Sequence, residues 1–324
     1  MSHRSSPGRL ERRFGETRAV DGVDLVVAAG EVYGFLGPNG AGKSTLTRML
    51  CTLLAPTAGS AYVAGKDVVT ETTAVRLRIG AALQEAGLDD KQTGAELLRL
   101  QGRLYGLSRP DTERRLAELS ELIDLGDALS RRVGTYSGGM KRRLDLALAL
   151  MHNPSVLFLD EPTTGLDPVS RRAVWDEVRR LNRELGMTIF LTTQYLEEAD
   201  ELADRVGIIS RGRIVAEGTP EALKRRIGTD VVVASIDGSL EPARRTLEAL
   251  EQVDRAVISD DRIVASVADG PTAISPVALA LAAGGVTVKD LSLRRPTLDD
   301  VFFSATGQRI ATDESTRTPT TVEA

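Results

Sequence analysis

The residues best suited to chemistry lie in a glycine-rich segment that follows an apolar run at residues 32–36. The pattern G-x-x-x-x-G-K-[ST] runs from Gly37 to Ser44, and a helical pattern begins at its end. Glycines let backbone N–H groups close around phosphate oxygens, and the N-terminus of the following helix adds partial positive charge. Lys43 is placed to reach the β- and γ-phosphates of a nucleotide, and Ser44 to offer its hydroxyl to Mg²⁺. The segment therefore predicts a nucleotide-phosphate site between a strand and a helix.

Two acidic residues, Asp160 and Glu161, end a second apolar run at residues 156–159. A continuous run of this kind is typical of a strand buried on both faces of a parallel sheet. Taken alone, the pair fits equally well two solvated acids at a strand end. The buried strand before them favours a position in which Asp160 lies beside the phosphate loop. A third run, residues 188–193, ends at Gln194 and predicts another strand.

The elements that must position these residues are those of an α/β domain. Residues 94–129 carry leucines at helical spacing among charges, which predicts a helical insertion. A further helix is expected after Gly139 and must end before Asn153-Pro154, since proline disfavours a helical residue before it. The other predicted strands are edge strands within residues 9–27, then residues 59–68, 79–83, 205–210 and 213–217, the last two as a hairpin.

Residues 230–295 form a separate pattern of strands and helices in the order β-α-β-β-α-β. This order is the split βαβ arrangement and predicts a small α+β domain of the ferredoxin-like type. A final helix is predicted at residues 298–305. The chain then becomes rich in Thr, Pro and charge, which predicts a disordered tail. The expected domains are residues 1–229, with a helical subdomain at about 86–150, then 230–306, and a tail at 307–324.

Composition and charge narrow the functional classes. Of 324 residues, 42% are hydrophobic and 27% charged, and no apolar run approaches the ~20 residues of a membrane-spanning helix. The N-terminus has no apolar signal-peptide segment, so a cytoplasmic chain is expected. A formal net charge of −5 argues against nucleic acid as a partner, because broad nucleic-acid binding usually needs a basic face. Cys51 is expected in the core, and His3 and His152 at the surface.

The segment Tyr136-Ser137-Gly138-Gly139-Met140 separates the classes of nucleotide enzyme that a phosphate loop leaves open. A serine here, taken alone, is explained well as a helix N-cap. Its position shortly before the run that ends at Asp160 resembles the signature of the ATP-binding cassette (ABC) family. The resemblance covers roughly residues 9–220 and follows the family's order of motifs. It implies a P-loop NTPase core with a helical subdomain and the hydrolysis of ATP.

The same resemblance implies a role for each motif. Phe14 matches the aromatic that stacks on adenine, although it fits equally well a side chain packed on the sheet. Glu161 matches the general base, and Gly165-Leu166-Asp167 matches the D-loop. The residues implied to bind ATP are Phe14, Gly37, Pro38, Asn39, Gly40, Ala41, Gly42, Lys43, Ser44, Thr45, Gln84, Ser137, Gly138, Gly139, Met140 and Asp167. Those implied in catalysis are Lys43, Glu161 and Gln194, and those implied to hold Mg²⁺ are Ser44, Gln84 and Asp160.

Two features depart from the family's pattern. The family usually has a histidine where this chain has Gln194, and neither His3 nor His152 is placed to replace it. The chain also begins close to Phe14, so the first strand is expected to be short or frayed, or the start codon to lie upstream of the assigned one. The departure at Gln194 leaves the rate of hydrolysis open.

Further features resemble the daunorubicin-resistance type of ABC drug exporter. They are Gln194, the segment at residues 84–89, the small second domain and the segment at residues 298–303. The last of these fits nearly as well the packing face of a terminal helix. This resemblance implies a peripheral ATPase at the cytoplasmic face of the membrane, a separately encoded integral membrane permease, an amphipathic drug as cargo, and a head-to-tail dimer with ATP between the copies. The alternatives are a soluble ABC ATPase with no transport role and an ATP-binding regulatory module with little turnover.

Overall fold

The computed structural model describes residues 9–83, 87–259 and 261–307. Gln84, His3 and residues 308–324 of the predicted tail lie outside the described residues. The chain divides into two compact units between Pro220 and Glu221. The sequence placed this boundary after residue 229, and the difference is one short helix, Pro220–Ile227.

The first unit contains a large sheet, two small sheets and a set of helices. Its strands are β1 (Leu10–Phe14), β2 (Thr17–Val23), β3 (Val32–Leu36), β4 (Tyr62–Val63), β5 (Lys66–Asp67), β6 (Ile79–Ala82), β7 (Val156–Asp160), β8 (Thr188–Thr193), β9 (Arg205–Ser210) and β10 (Arg213–Gly218). Its helices are α1 (Lys43–Leu50), α2 (Thr72–Arg76), α3 (Gly94–Leu104), α4 (Arg109–Leu122), α5 (Gly138–Leu150), α6 (Pro168–Leu185) and α7 (Leu196–Leu202), and helix α8 (Pro220–Ile227) follows at the boundary.

The large sheet has six strands in the order β10-β9-β3-β8-β7-β6. Strand β3 pairs in parallel with β8 and β9, and β7 pairs in parallel with β6 and β8. Strand β10 adds the predicted antiparallel hairpin to β9. Every residue of β3 is buried, as its continuous apolar run predicted. Because parallel strands end at the same edge, the loops after β3, β7 and β8 lie together, and ligands of such sheets bind at that edge.

Two predicted strand regions differ from the structure. Strands β1 and β2 pair with each other as a separate antiparallel sheet instead of extending the large one. The single strand predicted at residues 59–68 is a hairpin of β4 and β5 in which Val63 pairs with Lys66. The chain reverses because Ala64 and Gly65 both have positive φ, 49° and 74°, as a two-residue hairpin turn requires. An alanine in this conformation gives no sequence signal for a turn.

The helical insertion is confirmed, and its core explains the leucine pattern. Leu98 of α3, Leu119 of α4 and Leu144 of α5 are fully buried in one apolar cluster. Helix α3 begins with a capping box in which the Thr93 hydroxyl accepts from the Glu96 N–H and the Glu96 carboxylate accepts from the Thr93 N–H. The shared apolar cluster packs α5 against α3 and α4. Helix α5 begins directly after Ser137.

The second unit has the predicted β-α-β-β-α-β order followed by a helix. Its strands are β11 (Asp230–Asp237), β12 (Val253–Ser259), β13 (Arg262–Val267) and β14 (Thr287–Arg294), and its helices are α9 (Leu240–Glu248), α10 (Gly270–Ala283) and α11 (Leu298–Thr306). The strands form an antiparallel sheet in the order β12-β13-β11-β14. Leu247 of α9 and Val277 of α10 pack against this sheet in one apolar cluster. The small ferredoxin-like domain is therefore confirmed as an independent core.

Two single residues test the expectations about burial. Cys51 is 3% exposed, and burial raises the pKa of its thiol, which confirms a core position. His152, in contrast, is half-buried, so its predicted surface position is wrong. Its ring stacks on Tyr105 with centroids 3.7 Å apart, and its Nε2 lies 2.9 Å from the carbonyl oxygen of Ile79. The aromatic partner directly follows α3 and is far away in sequence. Within the described residues, no helix combines the length and apolarity that crossing a membrane requires.

The burial of His152 has a measurable consequence for stability. Burial lowers its pKa below the ordinary 6.5, so as the pH falls the unfolded chain takes up the proton before the folded chain does. The free energy of unfolding should therefore decrease as the pH falls through 6.5 towards the folded-state pKa. Urea unfolding between pH 7.5 and about 5 measures this. In His152→Gln the slope should be shallower over that window, and an unchanged slope would contradict the assignment.

Candidate functional site

The loop between β3 and α1 is compact because two of its glycines touch neighbouring backbone. A Cβ on Gly42 would lie 2.2 Å from the carbonyl oxygen of Ala19, and a Cβ on Gly37 would lie 2.6 Å from that of Ile209. Gly42 also has a φ of 111°, a backbone conformation that residues with a Cβ rarely adopt. The rest of the loop is Pro38, the exposed Asn39 and Gly40, and the buried Ala41, and Thr45 follows half-buried in α1. Only glycine fits at the two contact points, which holds the loop against β2 and β9.

Lys43 is the buried cation of this loop. It is 4% exposed, and its ammonium donates to the carbonyl oxygens of Gly37 at 2.7 Å and Pro38 at 3.2 Å. The same nitrogen lies 3.1 Å from Oε1 of Glu161. The side chain therefore curls over its own loop and meets the carboxylate that follows β7. A buried charge needs a partner of opposite sign, and Glu161 supplies it.

Asp160 lies beside the phosphate loop, as the apolar run before it predicted. It is 3% exposed, and its Oδ1 accepts a hydrogen bond of 3.3 Å from the hydroxyl of Ser44. The hydroxyl of Thr192 donates to the same oxygen. The alternative of a solvated acid at this position is therefore wrong. Thr192 is a partner that no motif identified, because only the pairing of β7 with β8 brings it to Asp160.

The donor set at Ser44 and Asp160 has the chemistry that Mg²⁺ prefers. A hydroxyl and a carboxylate are hard oxygen donors, and Mg²⁺ commonly takes one or two protein oxygens together with waters and phosphate oxygens. Among the described residues no cluster of three or more His, Cys, Asp or Glu side chains is arranged for a metal ion. A site of two protein oxygens beside a phosphate loop suits an ion that arrives with a nucleotide.

Glu161 is held in an unusual backbone conformation. Its φ is 50°, in the left-handed region that few residues other than glycine occupy. Its N–H donates to the carbonyl oxygen of Thr192 at 3.0 Å, and the residue as a whole is 8% exposed. Such strain persists only where the surroundings fix it, and it is concentrated at functional sites. The conformation turns the carboxylate towards Lys43, so the acid and the cation face each other across the loop.

Gln194 reaches the same edge of the sheet by strand register. Leu36 pairs with Thr193, and the N–H of Gly37 donates to the carbonyl oxygen of Thr193 at 3.3 Å. Gln194 is the next residue and is half-buried. The structure therefore places the backbone of Gln194 beside the start of the phosphate loop.

The signature residues and the D-loop form a second group. Ser137 caps α5 by accepting from the N–H of Met140 at 3.3 Å, and Gly138 is exposed. A Cβ on Gly139 would lie 3.1 Å from the hydroxyl oxygen of Ser170, at the start of α6. Asp167 caps α6, and its hydrogen bond with Ser170 lowers the pKa of its carboxyl. Ser137 thus acts as an N-cap and also lies on a surface next to the D-loop.

Phe14 and Gln84 complete the set of residues that the sequence singled out. The ring of Phe14 is 48% exposed at the end of β1, and the guanidinium of Arg12 lies 4.5 Å from its centroid. The ring is therefore not packed into the core, and about half of its surface is exposed to solvent. Gln84 follows Leu83 directly but lies outside the described residues.

A buried carboxylate under this site was missed by sequence reasoning. Glu198 is fully buried, and its Oε1 accepts from the Thr163 hydroxyl at 2.9 Å and from the indole N–H of Trp175 at 3.0 Å. Burial raises the pKa of this carboxyl. It joins the segment after Glu161 to helices α6 and α7. Its sequence neighbours Glu197, Asp200 and Glu201 are exposed, so the acidic run gives no sign that one member is buried.

Comparisons with known protein families agree with this geometry. The family described as "ABC transporter" matches residues 20–164, which include the phosphate loop, Ser137-Gly138-Gly139 and Glu161. The family described as "ATP-binding protein DrrA1-3-like, C-terminal domain" matches residues 218–306. The first match lies within the first compact unit, and the second covers almost all of the second unit.

Relatives match most of the chain. It is 50% identical over 301 residues to the daunorubicin resistance ATP-binding protein DrrA3 of Streptomyces coeruleorubidus, covering 92% of this chain and 94% of the relative. It is 47% identical over 309 residues to the daunorubicin/doxorubicin resistance ATP-binding protein DrrA of Streptomyces peucetius, covering 95% and 93%. Both resemblances extend over the two units.

Solved structures match about two-thirds of the chain. A dimeric structure of the ATP-binding cassette MJ0796, in a post-hydrolysis state with ADP and phosphate, has a TM-score of 0.59 at 25% identity. It covers 66% of this chain and 96% of its own. Sequence, geometry and these similarities lead to one conclusion. The chain belongs to the ABC transporter family, as an ATP-binding protein related to those of daunorubicin resistance.

Proposed function

We propose that this chain is the ATP-hydrolysing subunit of a drug exporter and works with a separate integral membrane permease at the cytoplasmic face of the membrane. ATP binding and hydrolysis are characteristic of its family. The observation that carries the proposal is the convergence of Lys43, Asp160 and Glu161 at one glycine-lined loop. The export of a drug is inferred from two relatives that are named for daunorubicin resistance.

The buried pair of Lys43 and Glu161 supports a division of roles in hydrolysis. A bound triphosphate would take the Lys43 ammonium as its counter-charge and so release the Glu161 carboxylate to face water. Glu161 would then accept a proton from the water that attacks the γ-phosphorus. The bond to the β-phosphate oxygen breaks, and ADP and phosphate leave. In such reactions positioning and neutralisation of charge supply most of the catalysis.

The proposed metal ligands are Ser44, Asp160 and Gln84, of which Gln84 lies outside the described residues. Mg²⁺, when bound, neutralises charge on the β- and γ-phosphate oxygens. Ser44 would contribute its hydroxyl directly, and the hydroxyl of Thr192 would hold Asp160 Oδ1 in place. The carboxylate of Asp160 is thus oriented by this chain's own residues.

The exposed signature residues support the proposal of a head-to-tail dimer. Ser137 and Gly138 are exposed, and Gly139 contacts the start of α6 rather than the phosphate loop of its own chain. In the proposed dimer, these N–H groups at a helix N-terminus would face the γ-phosphate held by the second copy. Phe14 would stack on the adenine through its exposed face.

Co-expression with the candidate permease tests the export function. The chain is expressed in a drug-sensitive strain together with the product of any adjacent gene that encodes about six predicted membrane spans. Cellular daunorubicin is followed by its fluorescence. Drug accumulation should fall only when both proteins are present, and the chain should then sediment with membranes. If the strain with both proteins accumulates as much drug as the strain with neither, while the purified chain has full ATPase activity, an ABC ATPase without a drug-transport role is favoured.

Substitution of Gln194 tests its proposed contact with the γ-phosphate. Gln194→Ala removes an amide donor and should slow hydrolysis by about 10²–10³-fold, the usual cost of losing one such hydrogen bond. Gln194→His should remain active, because imidazole can also donate. The steady-state rate of phosphate release is the measurement.

The parent chain provides the control for this test. Glutamine takes up no proton near neutral pH, so the parent's pH–rate profile should lack a step from this position. Parental hydrolysis in Gln194→Ala would remove this side chain from the site. Negligible turnover in the parent itself would favour the regulatory module with little hydrolysis.

A further inference from the structure

The side chain of Arg142 joins three parts of the nucleotide unit. Arg142 lies in α5, three residues after Gly139, and its side chain is 12% exposed. Its Nε donates to the carbonyl oxygen of Pro162 at 3.0 Å, and its Nη2 to that of Asp160 at 3.3 Å. Its remaining bonds go to the carbonyl oxygens of Leu83 at 3.1 Å and Ala82 at 3.5 Å, and to the carboxylate of Asp145 at 3.1 Å.

These carbonyls lie where the pairing of β6 and β7 ends. Backbone groups beyond the end of a ladder still need partners when they are buried. The planar guanidinium has five N–H donors in a fixed geometry, so it can serve carbonyls of two strands and a turn at once. Burial lowers the pKa of Arg142, and the nearby Asp145 carboxylate opposes this effect. Placing a cation here is costly, and the carbonyl bonds compensate for that cost.

The hydrogen bonds from Arg142 to the carbonyl oxygens of Asp160 and Pro162 lie on either side of Glu161 in the chain. They hold the residues on either side of Glu161, whose φ of 50° needs support from its surroundings. The bonds to Ala82 and Leu83 hold the chain directly before Gln84. All of them start from the helix whose N-terminus carries Ser137 and Gly138. Arg142 therefore connects the signature helix to the turn that aims Glu161.

We infer that Arg142 is a positioning residue that fixes the Glu161 turn and links its geometry to the position of the signature helix. This inference rests on the proposed role of Glu161 as the general base. Arg142 touches no reacting atom. It acts by keeping the carboxylate where the attacking water must lie, and displacing a catalytic group by about 1 Å can cost on the order of 10²-fold in rate.

Two substitutions of Arg142 separate its hydrogen-bonding geometry from its charge. Arg142→Met removes every donor and should lower kcat by on the order of 10²-fold, with KM for ATP changed less than about 3-fold. Arg142→Lys keeps the positive charge beside Asp145, but an ammonium cannot serve two strands and the turn together. Its kcat should also fall at least about 10-fold. Parental kcat in folded Arg142→Lys would overturn the inference.

Arg115, in α4, offers a matched control because it binds the C-terminal end of α5. It donates to the carbonyl oxygen of Leu150 at 2.8 Å and pairs with Glu118 three residues on, just as Arg142 pairs with Asp145. Arg115→Met therefore removes a hydrogen bond to the last carbonyl of α5 and an ion pair within α4, without touching the Glu161 turn. We expect kcat near the parental value in this variant. A loss of kcat equal to that in Arg142→Met would assign the effect to general destabilisation of the helix.

A double substitution distinguishes failure of the inference from failure of the proposed function. If Arg142 acts through Glu161, adding Arg142→Met to Glu161→Gln should not slow single-turnover hydrolysis further. An additional loss of 10-fold or more in the double variant would overturn the inference. If Glu161→Gln alone hydrolyses ATP at the parental rate, the general-base assignment fails first. If Glu161→Gln is inactive while Arg142→Met hydrolyses ATP at the parental rate, only the proposed role of Arg142 fails.

Discussion

Glu161→Gln is expected to bind ATP with near-parental affinity and to hydrolyse it about 10³-fold more slowly, within the range usual for losing a general base. The amide has the shape of the carboxylate, and its carbonyl oxygen can still accept from Lys43 at the 3.1 Å contact. It cannot take a proton from water at neutral pH. ATP binding and single-turnover hydrolysis are measured separately on the full chain with Mg²⁺.

The same variant also tests the proposed dimer. With hydrolysis blocked, the closed pair should accumulate when ATP and Mg²⁺ are added, and its mass can be read by light scattering after gel filtration. Glu184→Gln is a suitable control, because that carboxylate is 66% exposed near the end of α6. A Glu161→Gln protein that stays monomeric at saturating ATP would contradict the head-to-tail arrangement. A parental hydrolysis rate would contradict the role of Glu161.

The parts of the fold that the sequence predicted are those with a local cause. The apolar runs of β3, β7 and β8 mark strands buried on both faces, and the pattern that ends at Ser44 needs only neighbouring residues to specify a loop. The β-α-β-β-α-β order of the second unit was equally readable, because each element there has its own periodicity. In these regions local preference and tertiary packing favour the same structure.

The parts that were not predicted depend on contacts between distant segments. Ala64 takes a positive φ that no sequence rule assigns to alanine. His152 is half-buried because Tyr105, which follows α3, stacks on it. Thr192 bonds Asp160 only because β7 and β8 are neighbours in register. In each case the partner is set by the folded sheet or helix pair, and one sequence contains no signal for it.

Arg142 illustrates the same limit at the site itself. In the sequence Arg142 is one of three consecutive basic residues, 141–143, a run that is typical of the solvent-exposed surface of a helix. In the structure its side chain turns inward and contacts carbonyls from residues 18 to 60 positions away. Motifs identify groups that face the ligand, whereas the residues that hold those groups in place are found only from contacts.

Lys43→Ala should abolish measurable ATP binding or turnover. The ammonium lies inside the phosphate loop, 2.7 Å from the carbonyl oxygen of Gly37. Without it, a triphosphate in the loop would lack its counter-charge, since charge-assisted bonds are the strong ones in such sites. Fluorescent-ATP titration and phosphate release are the measurements. Lys66→Ala is the control, because this lysine lies on the β4–β5 hairpin and pairs with Glu71 before α2. Near-normal turnover in Lys43→Ala would disprove the assignment of the loop.

Lys43 also has a role that is measurable without nucleotide. Its side chain and that of Glu161 are 4% and 6% exposed, so removing the lysine leaves a buried carboxylate without its partner. Breaking a buried pair in this way costs about 3–5 kcal/mol, whereas replacing both charges is often nearly neutral. Lys43→Met should therefore lower the free energy of unfolding in urea by that amount. The double variant Lys43→Met/Glu161→Gln should recover most of it while still failing to hydrolyse ATP. If the double variant is as unstable as Lys43→Met, the loss comes from packing of the lysine stem, and the pair does not control the stability of the loop.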